Sequence, residues 1–139
     1  MAESVYIPLP VATVQEAAEP PSRTYRLDLD EGRILGTIDG QEAVRQAIHK
    51  AIITPRWKCL IYDNQYGSEI EAAVIQSKGR ATDEYVKAVV PGFVRDALRP
   101  DSRIIRVSSF QFNFTEEDEV FISFNADTIY GTVQIEEVI

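Results

Sequence analysis

Residues 103–138 read RIIRVSSFQFNFTEEDEVFISFNADTIYGTVQIEEV, and this stretch decides the fold. Apolar residues recur there at every second position, the period of a half-buried strand. Ser108, Phe110, Phe112 and Phe114 share one face of a first strand, with Ser109, Gln111 and Asn113 on the other. Thr115-Glu116-Glu117-Asp118 reads as a turn. Val120, Ile122, Phe124 and Ala126 then alternate with Phe121, Ser123, Asn125 and Asp127. A third strand runs from about Ile129 to Val138, with Val133 and Ile135 on one face and Thr132, Gln134 and Glu136 on the other. Three such strands in succession predict an antiparallel meander with one face for a core and one for water.

The period upstream is helical. Val44, Ala47, Ile48, Ala51 and Ile52 form one apolar stripe over about Gly40–Ile53. Asp39 stands at the N-cap with Glu42 three residues on, Lys50 lies in the last turn, and Thr54-Pro55 stops the helix. Ser68-Glu69-Ile70-Glu71 reads as a second capping box, with Ile70, Ala73 and Val74 facing inward and Gly79 as the C-terminal cap. Thr82 and Asp83 open a third helix with Tyr85, Ala88 and Val89 along one side, kinked or restarted at Pro91 and ended by Pro100. Thr24–Leu29 alternates as a strand, Asp30-Glu31-Gly32 turns, and Arg33–Gly36 returns. Arg56–Tyr62 reads as extended, and Asp63–Gly67 as a loop. The expectation is an α+β fold: helices packed on one side of a mostly antiparallel sheet that ends in the meander. Residues 1–23, with four of the seven prolines, read as an extended arm, and 24–139 as a single domain.

Charge is unevenly placed. The formal net charge is −8: residues 1–77 contribute −4, residues 78–106 contribute +3, and residues 107–139, which hold no Lys or Arg, contribute −7. This acidity argues against nucleic acid as a direct partner. No run approaches the roughly 18 apolar residues of a membrane helix. The opening Met1-Ala2-Glu3-Ser4-Val5 lacks the basic and apolar regions of a signal peptide. One cysteine, Cys59, leaves no intrachain disulfide or thiolate cage, and one histidine, His49, leaves no His-His zinc motif. Cys59 reads as a small buried hydrophobe, and His49, off the apolar stripe, as a surface residue. Gly36-Thr37-Ile38-Asp39-Gly40 reads as turn and cap rather than a phosphate loop, because Asp39 would repel a phosphate. No catalytic residue, metal ligand or cofactor is assigned.

Three ordered motifs resemble the sheath-initiator family, the small wedge proteins at the baseplate of contractile phage tails. They are the helix running into Ala51-Ile52-Ile53-Thr54-Pro55-Arg56, Tyr66-Gly67-Ser68 about ten residues later, and Leu98-Arg99-Pro100-Asp101-Ser102-Arg103-Ile104. The third departs from the family's usual Glu-Pro-Arg-Ile: Asp101 stands for the acid and Ser102 replaces the proline. The form is similar to versions from tailed phages of Gram-positive bacteria and from defective phage-like particles or tailocins. The resemblance implies a structural, non-enzymatic role: bridging wedge and tube components and templating sheath assembly by offering strand edges. It implies baseplate wedge proteins, the tail sheath protein, and tube or hub proteins as partners, and a virion or tailocin particle assembled in the bacterial cytoplasm as the location. The partner-binding residues it implies are Asp101 and Arg103 at the helix-to-strand corner, Arg56 and Tyr66 in the first two motifs, and Tyr130, Thr132, Gln134 and Glu136 along the terminal strand. Glu136 and Glu137 would discourage self-pairing of that strand. An alternative is a baseplate-associated peptidoglycan hydrolase using Glu69 or Glu71 as general acid.

Overall fold

The computed structural model describes residues 22–77, 83–116 and 119–139. The chain order is β1 (Thr24–Asp28), β2 (Arg33–Ile38), α1 (Gly40–Ile53), α2 (Ile70–Ser77), α3 (Asp83–Leu98), β3 (Ile104–Phe114), β4 (Val120–Thr128) and β5 (Gly131–Val138). Strands β1 and β2 form an antiparallel hairpin, and β3-β4-β5 form the antiparallel meander. The architecture is α+β, as the alternation predicts. Most of the arm, the Gly79 cap, Thr82 and the turn residues Glu117 and Asp118 lie outside the described residues.

The inner face of β4 is the centre of the core. Val120, Ile122, Phe124 and Ala126 are buried, and Phe124 is only 1% exposed. Against this face pack Val44, Ile48, Ala51 and Ile52 of α1, Ile70 of α2, and Val86, Val90, Val94 and Leu98 of α3. Each such aliphatic or aromatic side chain gains about 1.5–3 kcal/mol by leaving water, which offsets the entropy of ordering its element. The opposite face of the meander carries Phe121, Ser123 and Asn125 toward solvent.

The ends of α1 follow local chemistry. Asp39 accepts from the Gly40 N–H at 2.7 Å. Thr54 donates its hydroxyl to the Lys50 carbonyl at 2.6 Å, and its N–H meets the same oxygen at 3.1 Å. Glu42 turns outward to Arg26 of β1 at 2.8 Å.

Several expectations need correction. Arg56–Tyr62 is not a strand. It is a series of turns, with Trp57 at φ 67° and Leu60 and Ile61 largely exposed. Its apolar run reads as a strand only because a buried strand and an exposed apolar turn share that composition. Cys59 within it is half-buried. The Ser68–Glu71 capping box gives way to tertiary bonds: Ser68 donates to the Ile52 carbonyl at 2.6 Å, and Glu71 meets Lys58 at 3.3 Å. Helix α3 runs through Pro91 as one element, and its inner stripe is Val86, Val90, Val94, Ala97 and Leu98, whereas Tyr85 is exposed. In β3 the expected face is broken by a bulge between Ser108 and Gln111, where Ser109 takes φ 59°. Val107 and Phe110, three residues apart, therefore both turn to the core. Glu137 continues the inward set of β5 and is buried.

The two motifs on either side of the irregular segment pack backbone to backbone. Ser68 N–H donates to the Thr54 carbonyl at 2.9 Å, and Arg56 N–H to the Ser68 carbonyl at 3.0 Å. Gly67 sits between them at φ +94°, where an added Cβ would lie 2.6 Å from the Thr54 carbonyl oxygen. Gly67→Ala therefore combines a left-handed backbone with a backbone clash. It is expected to destabilise the fold by about 2–4 kcal/mol, read as a lower urea midpoint with an unchanged slope. A midpoint within error of the parent would count against this packing.

A candidate docking corner and strand edge

The sequence-selected residues fall into a corner, an edge and a brace. The corner is built where α3 ends and β3 begins. Asp101 accepts from its neighbour Arg103 at three points: the Arg103 N–H at 3.0 Å, Nε at 2.9 Å and Nη2 at 2.6 Å. The Arg103 guanidinium holds the Asp101 carboxyl below its ordinary value of 3.8, against the opposing effect of burial. The same pair pushes Arg103 up. The Arg103 carbonyl accepts from the Ile129 N–H at 3.0 Å, which ties the corner to the β4–β5 turn. Tyr130 in that turn shares a hydrogen bond with Ser22 at 2.8 Å. Tyr66 joins Asp101 and Arg103 in lining a cleft of about 410 Å³, together with Lys50 of α1. Burial, and Tyr62 with its ring tilted against it at 4.4 Å, push the Tyr66 hydroxyl up.

The edge is β5. Val120 and Ile139 exchange both backbone bonds. An antiparallel ladder alternates, so Val133, Ile135 and Glu137 bond to β4, while Thr132, Gln134, Glu136 and Val138 turn their backbone groups outward. Thr132 also donates its hydroxyl to Asp127 at 2.8 Å, and Arg106 of β3 reaches the other oxygen of Asp127 at 2.7 Å. These two bonds hold the Asp127 carboxyl below its ordinary range, Thr132 having the larger effect. They lock three strands across one row.

The brace is Arg56. It donates from Nε and Nη2 to the Gly67 carbonyl at 3.3 and 3.1 Å, and its nearest carboxylate is Glu69 at 3.9 Å. Arg56 and Tyr66 thus flank the Thr-Pro and Tyr-Gly-Ser contact, and only Tyr66 reaches the corner cleft. Glu69 and Glu71 each lie beside a cation, Arg56 and Lys58 respectively.

Sequence reasoning missed one inward-facing polar contact. His49 places Nδ1 at 2.5 and 2.7 Å from the two oxygens of Glu137. The signal is present in the sequence as the i, i+4, i+8 row Gln41, Arg45, His49 on α1. All three side chains reach β5: Gln41 at the Thr132 carbonyl, Arg45 at the Gln134 carbonyl, His49 at Glu137. Among the described residues, no group of three or more His, Cys, Asp or Glu could hold a metal.

The family model of contractile injection system sheath initiators matches residues 22–131. The chain is also 36% identical over 119 residues to the phage-like element PBSX protein XkdS of Bacillus subtilis (strain 168), covering 85% of this chain and 82% of that protein.

The corner carries a pH signature. Because Asp101 is more acidic when folded, its contribution to stability is complete above the ordinary carboxyl range and disappears as pH falls through the depressed folded value. Asp101→Asn should lower the urea midpoint near neutrality and flatten the acid limb of midpoint against pH. Parallel acid limbs for the two proteins would contradict this reading.

Proposed function

The chain belongs to the contractile injection system sheath initiator family, and on that premise we propose that it bridges baseplate and sheath, with the corner facing the baseplate and the outward edge of β5 receiving a strand from the first sheath ring. Membership makes it a structural component of a phage-type tail baseplate, and implies interaction with sheath and baseplate components. The finer assignment rests on one observation: four successive alternate residues of β5, Thr132 to Val138, turn their backbone groups away from β4. An extended segment laid along that row would gain ladder hydrogen bonds for affinity and side-chain pockets for specificity. Exposed Thr132, Gln134 and Glu136 flank such a strand, and Tyr130 stands at its start. The Glu136 charge guards the same edge against pairing with another copy.

At the corner, the cleft of Tyr66, Asp101 and Arg103 would receive a wedge component, with Arg56 holding the Gly67 carbonyl next to Tyr66. Tube or hub proteins would adjoin the same side, residues 1–23 would extend along a neighbour, and assembly would take place in the bacterial cytoplasm before the particle is released.

Two experiments test this. Sheath protein is polymerised on baseplates prepared with and without the chain; sheath of defined start and length should form only with it, and unchanged start and length without it would refute the role. Arg103→Ala should cost about 1 kcal/mol of stability, as a lost bidentate pair at a partly exposed site, and leave the chain folded. It should also reduce co-sedimentation with wedge proteins. Undiminished co-sedimentation would remove Arg103 from the interface.

A further inference from the structure

The edge of β5 and the edge of β1 open onto the same groove, and side chains of α1 sit on both. The groove, about 450 Å³, has Leu27, Leu29 and Ile38 of the hairpin on one side and Ile135 and Glu136 of β5 on the other. Its floor is the polar flank of α1. Arg45 donates to the Gln134 carbonyl at 2.9 Å, and Gln41 points to the Thr132 carbonyl at 3.5 Å. On the facing edge the Gln46 amide makes a two-point contact: its oxygen accepts from the Leu27 N–H at 2.9 Å and its nitrogen donates to the Tyr25 carbonyl at 2.8 Å. That two-point pattern is what a backbone amide of a neighbouring strand would supply, because residues two apart present their groups to the same side. Thus side chains one and five residues apart on a single helix occupy outward backbone groups of both edges.

We propose that Gln41, Arg45 and Gln46 are placeholders for the backbone of an incoming strand. They occupy two outward backbone groups on each edge in the free chain and swing aside when one extended segment of the sheath subunit enters the groove. This proposal rests on the strand-edge reading above. The occupant is an extended segment that alternates apolar side chains, set against Leu27, Leu29, Ile38 and Ile135, with polar ones set against Arg26, Glu42, His49, Glu136 and Glu137, which line the same groove. The placeholders are suited to leaving. Arg45 and the Gln46 amide nitrogen make solvent-accessible hydrogen bonds to neutral carbonyls. Among the described residues Arg45 has no carboxylate within ion-pair distance to hold it. A long side chain released from such a bond regains rotamer freedom and water, whereas an edge left bare would invite pairing with another copy. His49, third in the same row, also lines the groove, but its bond is to the side chain of buried Glu137 on the inward side of β5 and takes up no backbone group of the edge.

The test uses the full chain and the purified sheath protein of the same particle, with sheath growth followed by light scattering as a function of initiator concentration. Arg45→Met keeps the length of the stem and removes the donor. It should reach half-maximal seeding at a concentration about three- to tenfold lower, the factor set by one exposed hydrogen bond. Its sedimentation should also show more self-association than the parent. Gln46→Leu, on the other edge, should shift seeding in the same direction, and Arg45→Lys, which keeps a donor, should stay near the parent. Glu136→Pro is the control: it removes an outward N–H and leaves the β4 ladder intact, so it should abolish seeding. If Arg45→Met and Gln46→Leu, folded by circular dichroism, seed no better than the parent while Glu136→Pro fails to seed, the placeholders are overturned and the strand edge stands. If Glu136→Pro seeds like the parent, the strand edge falls and the placeholders with it.

Discussion

A three-stranded sheet with one apolar face is stable only when that face is kept dry, and in this chain α1 and α3 do so over Ile122 and Phe124. The constraint sets the rest of the structure. The sheet has two edges and no fourth strand among the described residues to cover either. The hairpin β1–β2 is largely exposed and buries only Ile38 fully. It is positioned against α1 by the Arg26–Glu42 pair, while the Gln46 amide rests on its outer edge. One helix thus does three jobs with three faces: an apolar stripe toward the sheet, the row Gln41, Arg45, His49 toward β5, and Glu42 with Gln46 toward the hairpin. The 3.6-residue period makes this possible, because residues four apart form neighbouring longitudinal rows.

The His49–Glu137 contact shows how such a helix is held in register. A carboxylate 7% exposed is costly without a partner. Replacing both groups by apolar ones would not obviously weaken the core, so the pair is better understood as a fixer of position than as a source of stability. It closes only when α1 sits at one height along β5. That height also places Arg45 at the Gln134 carbonyl and Gln41 near the Thr132 carbonyl.

Where a residue's partner is local, or its period regular, its place could be read in advance. The meander strands, the α1 stripe, the Asp39 cap and the Thr54-Pro55 stop are of that kind. The misreadings have long-range causes. Glu137 faces inward because His49, 88 residues away, is there to meet it. Ser68 caps no box because the Ile52 carbonyl, 16 residues earlier, takes its hydroxyl. Ser109 breaks the period of β3 through a bulge that alternation alone does not reveal. The turns of Arg56–Tyr62 expose Leu60 and Ile61, and no periodicity argument expects apolar side chains in water. Of the candidate site, the corner residues and the β5 positions come from the family resemblance, whereas the α1 side chains resting on the edge have no signal there. Gln41, Arg45 and Gln46 look like ordinary solvent-facing residues until β5 and β1 are brought beside them.

Corner and edge are mechanically one unit, and this bears on how a small protein could serve a ring-shaped assembly. The Ile129 N–H bonded to the Arg103 carbonyl fastens the β4–β5 turn to the corner, and β5 starts two residues later. Asp127, held by Arg106 on one side and Thr132 on the other, continues the connection across the three strands. A partner bound at Asp101 and Arg103 would therefore fix the direction in which the outward groups of β5 point, with little slack between the two. In the proposed role, that of a template repeated around a ring, direction matters more than affinity. Contacts that are individually modest add through effective concentration, but only when geometry lets all of them engage together. A rigid link from corner to edge, with backbone groups masked by side chains that can leave, meets that requirement without needing any single strong interface.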